Sequence, residues 1–274
     1  MAEAEQAEPA EQAEPAEQVE PAEQATVTRL RAAGCVFAED EARLLHEAAT
    51  TPGHLEELVG ARVGGLPLEH LLGWAEFRGL RIAVEPGVFV PRRRTEFLVA
   101  QAVALTRPGD VVVDLCCGSG ALGAALAAAV PRLELHAADI DPVAVACARR
   151  NLEVAGGRAY VGDLYDPLPP GLRGRVRVLL ANVPYVPTAA IPLMPSEARD
   201  HEPSVALDGG SDGLRVMSRM AAGANSWLAP GGSVLVESSE QQASAVRGLF
   251  RRSGLRAHVV GSVDDGATVV IGTR

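Results

Sequence analysis

The stretch Asp110-Val-Val-Val-Asp114-Leu-Cys-Cys-Gly118-Ser-Gly120 runs directly into the alanine-rich segment Ala121 to Val130, and nothing else in the chain limits its fold as strongly. The β-branched run reads as a strand and the alanine run as a helix. A strand that turns through glycines into a helix is the opening half of a βαβ unit, whose next strand lies parallel to the first. Glycines at 118 and 120 give the turn access to φ > 0 and let backbone approach a ligand.

The same alternation continues from Thr95 to the end. Strands are expected at 111–115, 133–138, 158–161, 176–181, 233–237, 255–260 and 267–272, and helices at 95–106, 121–130, 142–154, 211–228 and 239–253. Asp141-Pro142 reads as an N-cap followed by proline at the first helical position, and Asp212 as a cap for the next helix. This predicts an α/β domain over 95–274, with a mostly parallel sheet covered on both faces. The last two runs are joined by a short segment, so they are expected to pair antiparallel.

Upstream, residues 26–75 read as a small helical subdomain. Val27, Leu30, Leu44, Leu45, Leu55, Leu58, Val59, Leu71 and Leu72 supply apolar positions, and Thr51-Pro-Gly53 and Gly64-Gly65 punctuate them. Phe77 to Val90 reads as two short strands about the turn Glu85-Pro-Gly87, a linking hairpin within 76–94. Before all of this, Glu-Gln-Ala-Glu-Pro-Ala starts at residue 5, recurs from 11 and, with Val19, from 17. Proline every six residues breaks helices and nothing apolar is available to bury, so 1–25 is expected to be a disordered acidic tail.

Net charge is −10, but eight of the 35 acids lie in residues 1–24, leaving 27 against 25 bases, all of them arginine. A near-neutral folded part, with Arg92 to Arg94 its only three-residue basic run, lacks the electrostatic footprint of a nucleic-acid binder. No apolar run approaches the ~18–20 residues of a membrane span, and the N-terminus has no signal-peptide pattern, so a cytoplasmic protein is expected. Cys35, Cys116, Cys117 and Cys147 form neither a CxxC pair nor a disulfide framework, and no metal is expected.

Gly118-Ser-Gly120-Ala-Leu-Gly123 formally matches a dinucleotide fingerprint, with Asp139 at the end of the second strand. A carboxylate at Asp114 would repel a pyrophosphate, whereas S-adenosylmethionine carries an ammonium and a sulfonium and no phosphate. Asp139 is placed to accept both ribose hydroxyls, and Asp163, after the third strand, to reach the adenine amino group. A second feature points to the partner of that donor. Asn182-Val183-Pro184-Tyr185 follows the buried run 176–181 and sets an amide, a backbone carbonyl and a ring where a planar amide or amino group can be gripped.

At these residues the chain resembles the HemK or PrmC protein-(glutamine-N5) methyltransferases over 66–274. The matching stretches are Pro67 to Gly73, Phe77 to Leu80, Pro86 to Arg92 with Thr95-Glu96, Asp114 to Gly120, Asn182 to Tyr185, Glu202-Pro203 with Ala206 to Gly210, Asp212 to Leu214, and Glu237 with Gln242. The resemblance implies a class I, Rossmann-like, seven-stranded S-adenosylmethionine-dependent methyltransferase domain with a small N-terminal helical domain and a linking hairpin. It implies methylation of a glutamine side chain in a protein, typically in the Gly-Gly-Gln motif of a peptide chain release factor. Cys116, Cys117, Gly118, Ser119, Gly120, Asp139, Leu164 and Asn182 would line the cofactor site. Asn182, Val183, Pro184 and Tyr185 would hold the glutamine, with Phe89 and Pro91 as nearby wall. Where the family has Asn-Pro-Pro-Tyr this chain has Val183, and Arg93-Arg94 replaces a proline and an acid.

Three other functions share parts of this pattern. Adenine-N6 methylation uses the same clamp on an amino group but needs a basic footprint. A small-molecule amide acceptor is compatible with the reduced N-terminal segment. A cofactor-binding protein without catalysis would treat Val183 as the lesion, against which every other expected site residue is present.

Overall fold

The structure, a computed structural model, describes residues 21–274, so the acidic repeat through residue 20 lies outside the described residues. Two compact units emerge, one ending at Gly64 and the other running from Gly65 to Arg274.

The first unit holds helices α1 (Pro21–Ala32), α2 (Ala38–Ala48) and α3 (Pro52–Val63). Helix α1 starts inside the stretch read as tail, because Pro21 at a helix start loses no hydrogen bond there. Val27, Leu30, Leu45 and Val59 are buried in this unit. The Thr51 side chain caps α3 by accepting from the His54 N–H at 3.1 Å. A buried ion pair joins α3 to α2: Arg62 donates from Nε to Glu41 Oε2 at 2.6 Å and from Nη2 to Oε1 at 3.2 Å.

The second unit opens with α4 (Leu68–Leu72), which ends at Gly73 in the left-handed region, φ 76°. The α4 helix therefore belongs to this unit, and the helical subdomain expected to extend to residue 75 stops at Gly64. Strands β1 (Trp74–Phe77) and β2 (Leu80–Ala83) form the hairpin, pairing Phe77 with Leu80. Its turn is Arg78-Gly79, with φ of 50° and 73°, and not Glu85-Pro-Gly87. Positive φ at both central residues matches the right-handed twist of the strands, which is what a two-residue connection requires. Glu85-Pro-Gly87 makes the following turn, closed by the Val88 N–H to the Glu85 carbonyl at 3.0 Å.

From there the chain alternates through α5 (Glu96–Leu105), β3 (Val111–Leu115), α6 (Ala121–Ala129), β4 (Glu134–Asp139), α7 (Pro142–Leu152), β5 (Arg158–Val161) and β6 (Val176–Ala181). Next come the short helices α8 (Ser196–His201) and α9 (Ser204–Leu207), at the end of a proline-rich stretch. The chain closes with α10 (Arg215–Trp227), β7 (Leu228–Glu237), α11 (Glu240–Arg252), β8 (Arg256–Ser262) and β9 (Ala267–Thr273). Asp141 caps α7 as expected, accepting from the Val143 N–H at 2.8 Å. Asp212 accepts from the Leu214 N–H at 2.9 Å, but α10 begins only at Arg215. Gly213, at φ 74°, stands between, so Asp212 shapes the preceding turn and not the helix end.

Seven strands form one sheet in the order β5-β4-β3-β6-β7-β9-β8. All neighbours are parallel up to β7, and β9 runs antiparallel to both β7 and β8. Both faces are covered, as a parallel sheet requires. Val111, Val113 and Leu115 of β3 pack with Met217, Met220, Val246 and Phe250 of α10 and α11. Val112 faces the other way, into a cluster with Leu98, Leu122, Leu126 and Val145 of α5, α6 and α7. Successive strands depart in opposite directions from β3, toward β4 on one side and β6 on the other. Such a switch point opens a crevice at the carboxyl ends of those strands. No helix among the described residues is long and apolar enough to cross a membrane.

Candidate active site

A cavity of about 440 Å³ occupies that crevice. Its wall is assembled from the residues that follow four parallel strands: Cys116 to Ser119 after β3, Asp139 to Asp141 at the end of β4, Asp163 and Leu164 after β5, and Asn182 to Val186 after β6. Phe89 and Pro91 complete it from the segment after the hairpin, and Met194, Pro203 and Leu207 from the segment between β6 and α10.

The cradle after β3 is built by left-handed backbone. Cys116, Gly118 and Gly120 have φ of 53°, 53° and 78°. The Gly118 N–H donates to Asp139 Oδ2 at 2.9 Å and the Asp141 N–H to Oδ1 at 3.0 Å, which fixes the Asp139 carboxylate on the wall. Each oxygen retains a lone pair, so the group can accept two ligand hydroxyls. Burial raises the Asp139 carboxyl, opposed by the amides of Asp141 and Gly118. Asn151 of α7, which the sequence did not single out, holds the loop from behind. Its Nδ2 donates to the Ser119 carbonyl at 2.8 Å and to the Ala83 carbonyl at 2.9 Å, while its Oδ1 accepts from the Ala83 N–H at 2.9 Å.

Two of the expected cofactor residues stand off the wall. Asp114 shares the strand parity of Val112, so its side chain points beneath α6. It is fully buried, and its Oδ2 accepts from the Gly123 N–H at 3.0 Å in the first turn of that helix. Its Oδ1 has no partner among the described residues, and burial pushes the carboxyl up to about 8. Gly120 is a packing position: a Cβ there would meet the Ala148 Cβ at 3.1 Å. Asp163 does line the cavity, but its Oδ2 already accepts from Arg219 Nη2 at 2.6 Å. Burial pushes the Cys116 and Cys117 thiols up, away from the thiolate that metal binding needs, and no metal-ligand cluster occurs among the described residues.

With Asp114 off the wall, the case against a pyrophosphate passes to the arginines. Arg92, Arg94, Arg215 and Arg219 all line the cavity, and each is paired with a carboxylate, of Glu202, Glu237, Asp208 and Asp163 in turn. The wall thus offers no unpaired guanidinium for a diphosphate. It offers a two-oxygen acceptor at Asp139, open space beside Gly118 where a Cβ would be, and an apolar slot at Leu164 and Ala138. These features fit the ribose, the close backbone approach and the ring of S-adenosylmethionine.

At the other end stand Asn182, Val183, Pro184 and Tyr185. The Asn182 side chain engages no hydrogen-bond partner among the described residues, and it lies just past β6 among the residues lining the cavity. Tyr185 is held at its hydroxyl by a network of which the sequence gave only separate members. Arg94 Nη2 donates to the Tyr185 oxygen at 2.7 Å, and the Tyr185 hydroxyl donates to Glu237 Oε1 at 3.2 Å. Arg94 Nε donates to the same Glu237 oxygen at 2.9 Å, and the Thr95 hydroxyl donates to Glu237 Oε2. Gln242 Nε2 donates to the Tyr185 carbonyl at 3.1 Å, fixing the backbone side of the same residue. Burial, with Glu237 adding to it, raises the Tyr185 phenol, so it stays neutral.

Three comparisons bear on this geometry. The Methyltransferase small domain family matches residues 79–191. A release factor glutamine methyltransferase of Streptomyces coelicolor is 41% identical over 198 residues, covering 71% of this chain and 70% of that one. A 4-amino-L-phenylalanine/4-methylamino-L-phenylalanine methyltransferase of Streptomyces pristinaespiralis is 36% identical over 218 residues, covering 77% and 74%. Among solved structures, a methyltransferase from Pyrococcus furiosus superposes with a TM-score of 0.54 at 18% identity, covering 71% of this chain and 89% of that one. That last likeness speaks to the fold alone.

Proposed function

The chain belongs to the release factor glutamine methyltransferase family, and from that premise we propose that it methylates the glutamine of a release-factor Gly-Gly-Gln segment, with Asn182 to Tyr185 as the acceptor clamp. It is an S-adenosylmethionine-dependent methyltransferase whose acceptor is a protein. The observation that supports the residue assignment is the placement of Asn182 and Tyr185 on the same cavity wall as Gly118 and Asp139.

S-adenosylmethionine, when bound, supplies a methyl group activated on a sulfonium. The chain's own residues must then present a poor nucleophile, because an amide lone pair is delocalised and no side chain here is basic enough to deprotonate it. The Asn182 side-chain oxygen and the Val183 carbonyl are two acceptors for the two N–H groups of a primary amide. Holding both fixes the amide plane and directs the nitrogen along one line. Tyr185 covers that plane with its ring. Val183 keeps the carbonyl acceptor while lacking proline's fixed φ. The rate enhancement assigned to these groups is one of proximity and orientation, a class of effect worth up to ~7–11 kcal/mol. No general base is required, since the nitrogen loses its proton readily once alkylated. When the cofactor is bound, Asp139 would hold its ribose, Gly118 and Ser119 would let its chain approach the backbone, and Leu164 would pack on its ring.

The test is methyl transfer from labelled S-adenosylmethionine to a purified release factor from the same organism, followed by mass spectrometry of the Gly-Gly-Gln peptide. A glutamine heavier by one methylene is expected, with Asn182→Ala binding cofactor normally but losing transfer by about two orders of magnitude or more. Absence of the modification with cofactor bound overturns the acceptor assignment. Transfer to 4-amino-L-phenylalanine in a parallel reaction would then make an aryl amine the acceptor.

A further inference from the structure

The acceptor tyrosine is tethered at its far end by a residue outside the clamp. Glu237 ends β7 with its side chain only 3% exposed, and a carboxylate so placed needs a cation and hydrogen bonds to remain there. Arg94 supplies the cation from the short turn Arg93–Thr95 before α5, and it does so with two different nitrogens. Nε is committed to Glu237 and Nη2 to the Tyr185 hydroxyl, so the planar guanidinium spans both partners at once. Thr95 holds the second oxygen of Glu237, which prevents the carboxylate from swinging away.

We propose that Arg94 is a positioning residue for methyl transfer: it locks the Tyr185 ring against the acceptor cavity by bridging the Tyr185 hydroxyl to Glu237. The ring's orientation about its own axis and its tilt over the acceptor plane are then set at the hydroxyl by Arg94 and at the backbone by Gln242. Both hydrogen bonds of the Arg94 guanidinium go to Glu237 and Tyr185. It acts through the tyrosine. A lysine would not replace it, because an ammonium is a single point charge where the guanidinium offers two directed donors. The guanidinium is half exposed, at 47%, and lines the acceptor cavity on one side and a second, open groove with Ser239, Ser244 and Arg247 on the other.

This inference rests on the clamp assigned to Asn182–Tyr185, and two measurements keep its failure separate from failure of that assignment. The first uses no acceptor. The chain has three tyrosines, Tyr160, Tyr165 and Tyr185, so 3-fluorotyrosine labelling gives three fluorine resonances, with that of Tyr185 assigned by its loss in Tyr185→Phe. Arg94→Ala should shift and broaden the Tyr185 resonance alone, and an unchanged Tyr185 line overturns the proposal. The second is steady-state transfer to the release factor. Arg94→Ala is expected to lower kcat roughly ten- to a hundredfold, with the dissociation constant for S-adenosylmethionine unchanged. Tyr185→Phe removes the hydroxyl that Arg94 grips, so the double variant should be little worse than the worse single one. Multiplying losses in the double variant would show that Arg94 acts independently of Tyr185 and refute the bridge. Arg94→Lys should restore the thermal stability lost in Arg94→Ala without restoring full kcat. Full recovery of kcat by lysine would reduce Arg94 to a neutralising charge and also overturn the proposal.

Discussion

Gly118 and Gly120 sit two positions apart in one turn, both with positive φ, and the structure assigns them opposite phenotypes when each is replaced by alanine. A Cβ on Gly120 would lie 3.1 Å from the Ala148 Cβ, 3.2 Å from the Ala148 Cα and 3.3 Å from the Leu152 Cγ. These are backbone and core atoms of α7, which cannot swing aside as a side-chain tip would. Gly120→Ala thus adds a left-handed strain of ~1–2 kcal/mol and an overpacking cost of ~1–3, offset by ~0.4–1 from the stiffer unfolded chain, for a net loss of roughly 1–5 kcal/mol. A Cβ on Gly118 meets nothing within 4 Å. Gly118→Ala carries the same strain and offset without the overpacking, a net loss of up to about 1.6 kcal/mol. Its new methyl instead stands beside the cavity, where the donor's chain must approach the backbone. Urea unfolding should place the midpoint of Gly120→Ala well below that of Gly118→Ala at similar slope, while calorimetric titration with S-adenosylmethionine should show the larger affinity loss in Gly118→Ala. Equal midpoints, or a greater affinity loss in Gly120→Ala, would refute the division of roles.

Other consequences follow from single side chains. Burial raises the folded pKa of Asp114 to about 8, above an unfolded value of ~3.9, so the native state holds the extra proton. Its stabilising contribution is complete at low pH and disappears as pH rises through about 8. Asp114→Asn keeps an acceptor for the Gly123 N–H and removes the titration, so its stability advantage in urea melts should grow from pH 5 to 8 and then level off. A pH-independent difference would contradict the buried neutral carboxyl. In the first unit, Arg62→Met leaves Glu41 buried without its bidentate partner and should cost about 3–5 kcal/mol, read as lost amide-exchange protection in α2 and α3.

Most strands of the sheet were legible because they are runs rich in β-branched and leucine residues between glycine, proline and aspartate breaks, and the strand limits fall within a residue or two of expectation except at β7. There the run 233–237 is extended back to Leu228, since the register shift between Val176 and Val178 lets Leu228 pair with Val176 while Pro230 to Gly232 bulge out. The hairpin turn was misread for a different reason. Glu85-Pro-Gly87 carries the turn residues, but Arg78 bears a left-handed φ that its side chain does not advertise, and the pairing of β1 with β2 imposes it. The short helices α8 and α9 escaped because six and four residues are too few for a periodic apolar pattern to show.

The donor half of the proposed site was more legible than its proposed acceptor half, and the sheet order explains why. Gly118, Ser119, Asp139 and Leu164 each follow a strand whose end could be read locally, and parallel strands bring such ends to one edge without further information. Asp114 was misplaced by one step of the same logic. It ends a strand, but alternation turns its side chain under α6, and only the residues beyond Leu115 reach the cavity. The support for Tyr185 is non-local in a way no motif records. Ala181 of β6 pairs with Val236 of β7, so the residues that follow them, Asn182 just past β6 and Glu237 at the end of β7, emerge side by side. Glu237 therefore reaches the tyrosine three residues beyond Asn182, and Arg94 arrives from a turn 91 residues upstream of that tyrosine. Each member was visible in the chain as an acid, an aromatic or a base. What joined them was the adjacency of β6 and β7, a property of the strand order that becomes readable only when the sheet is assembled.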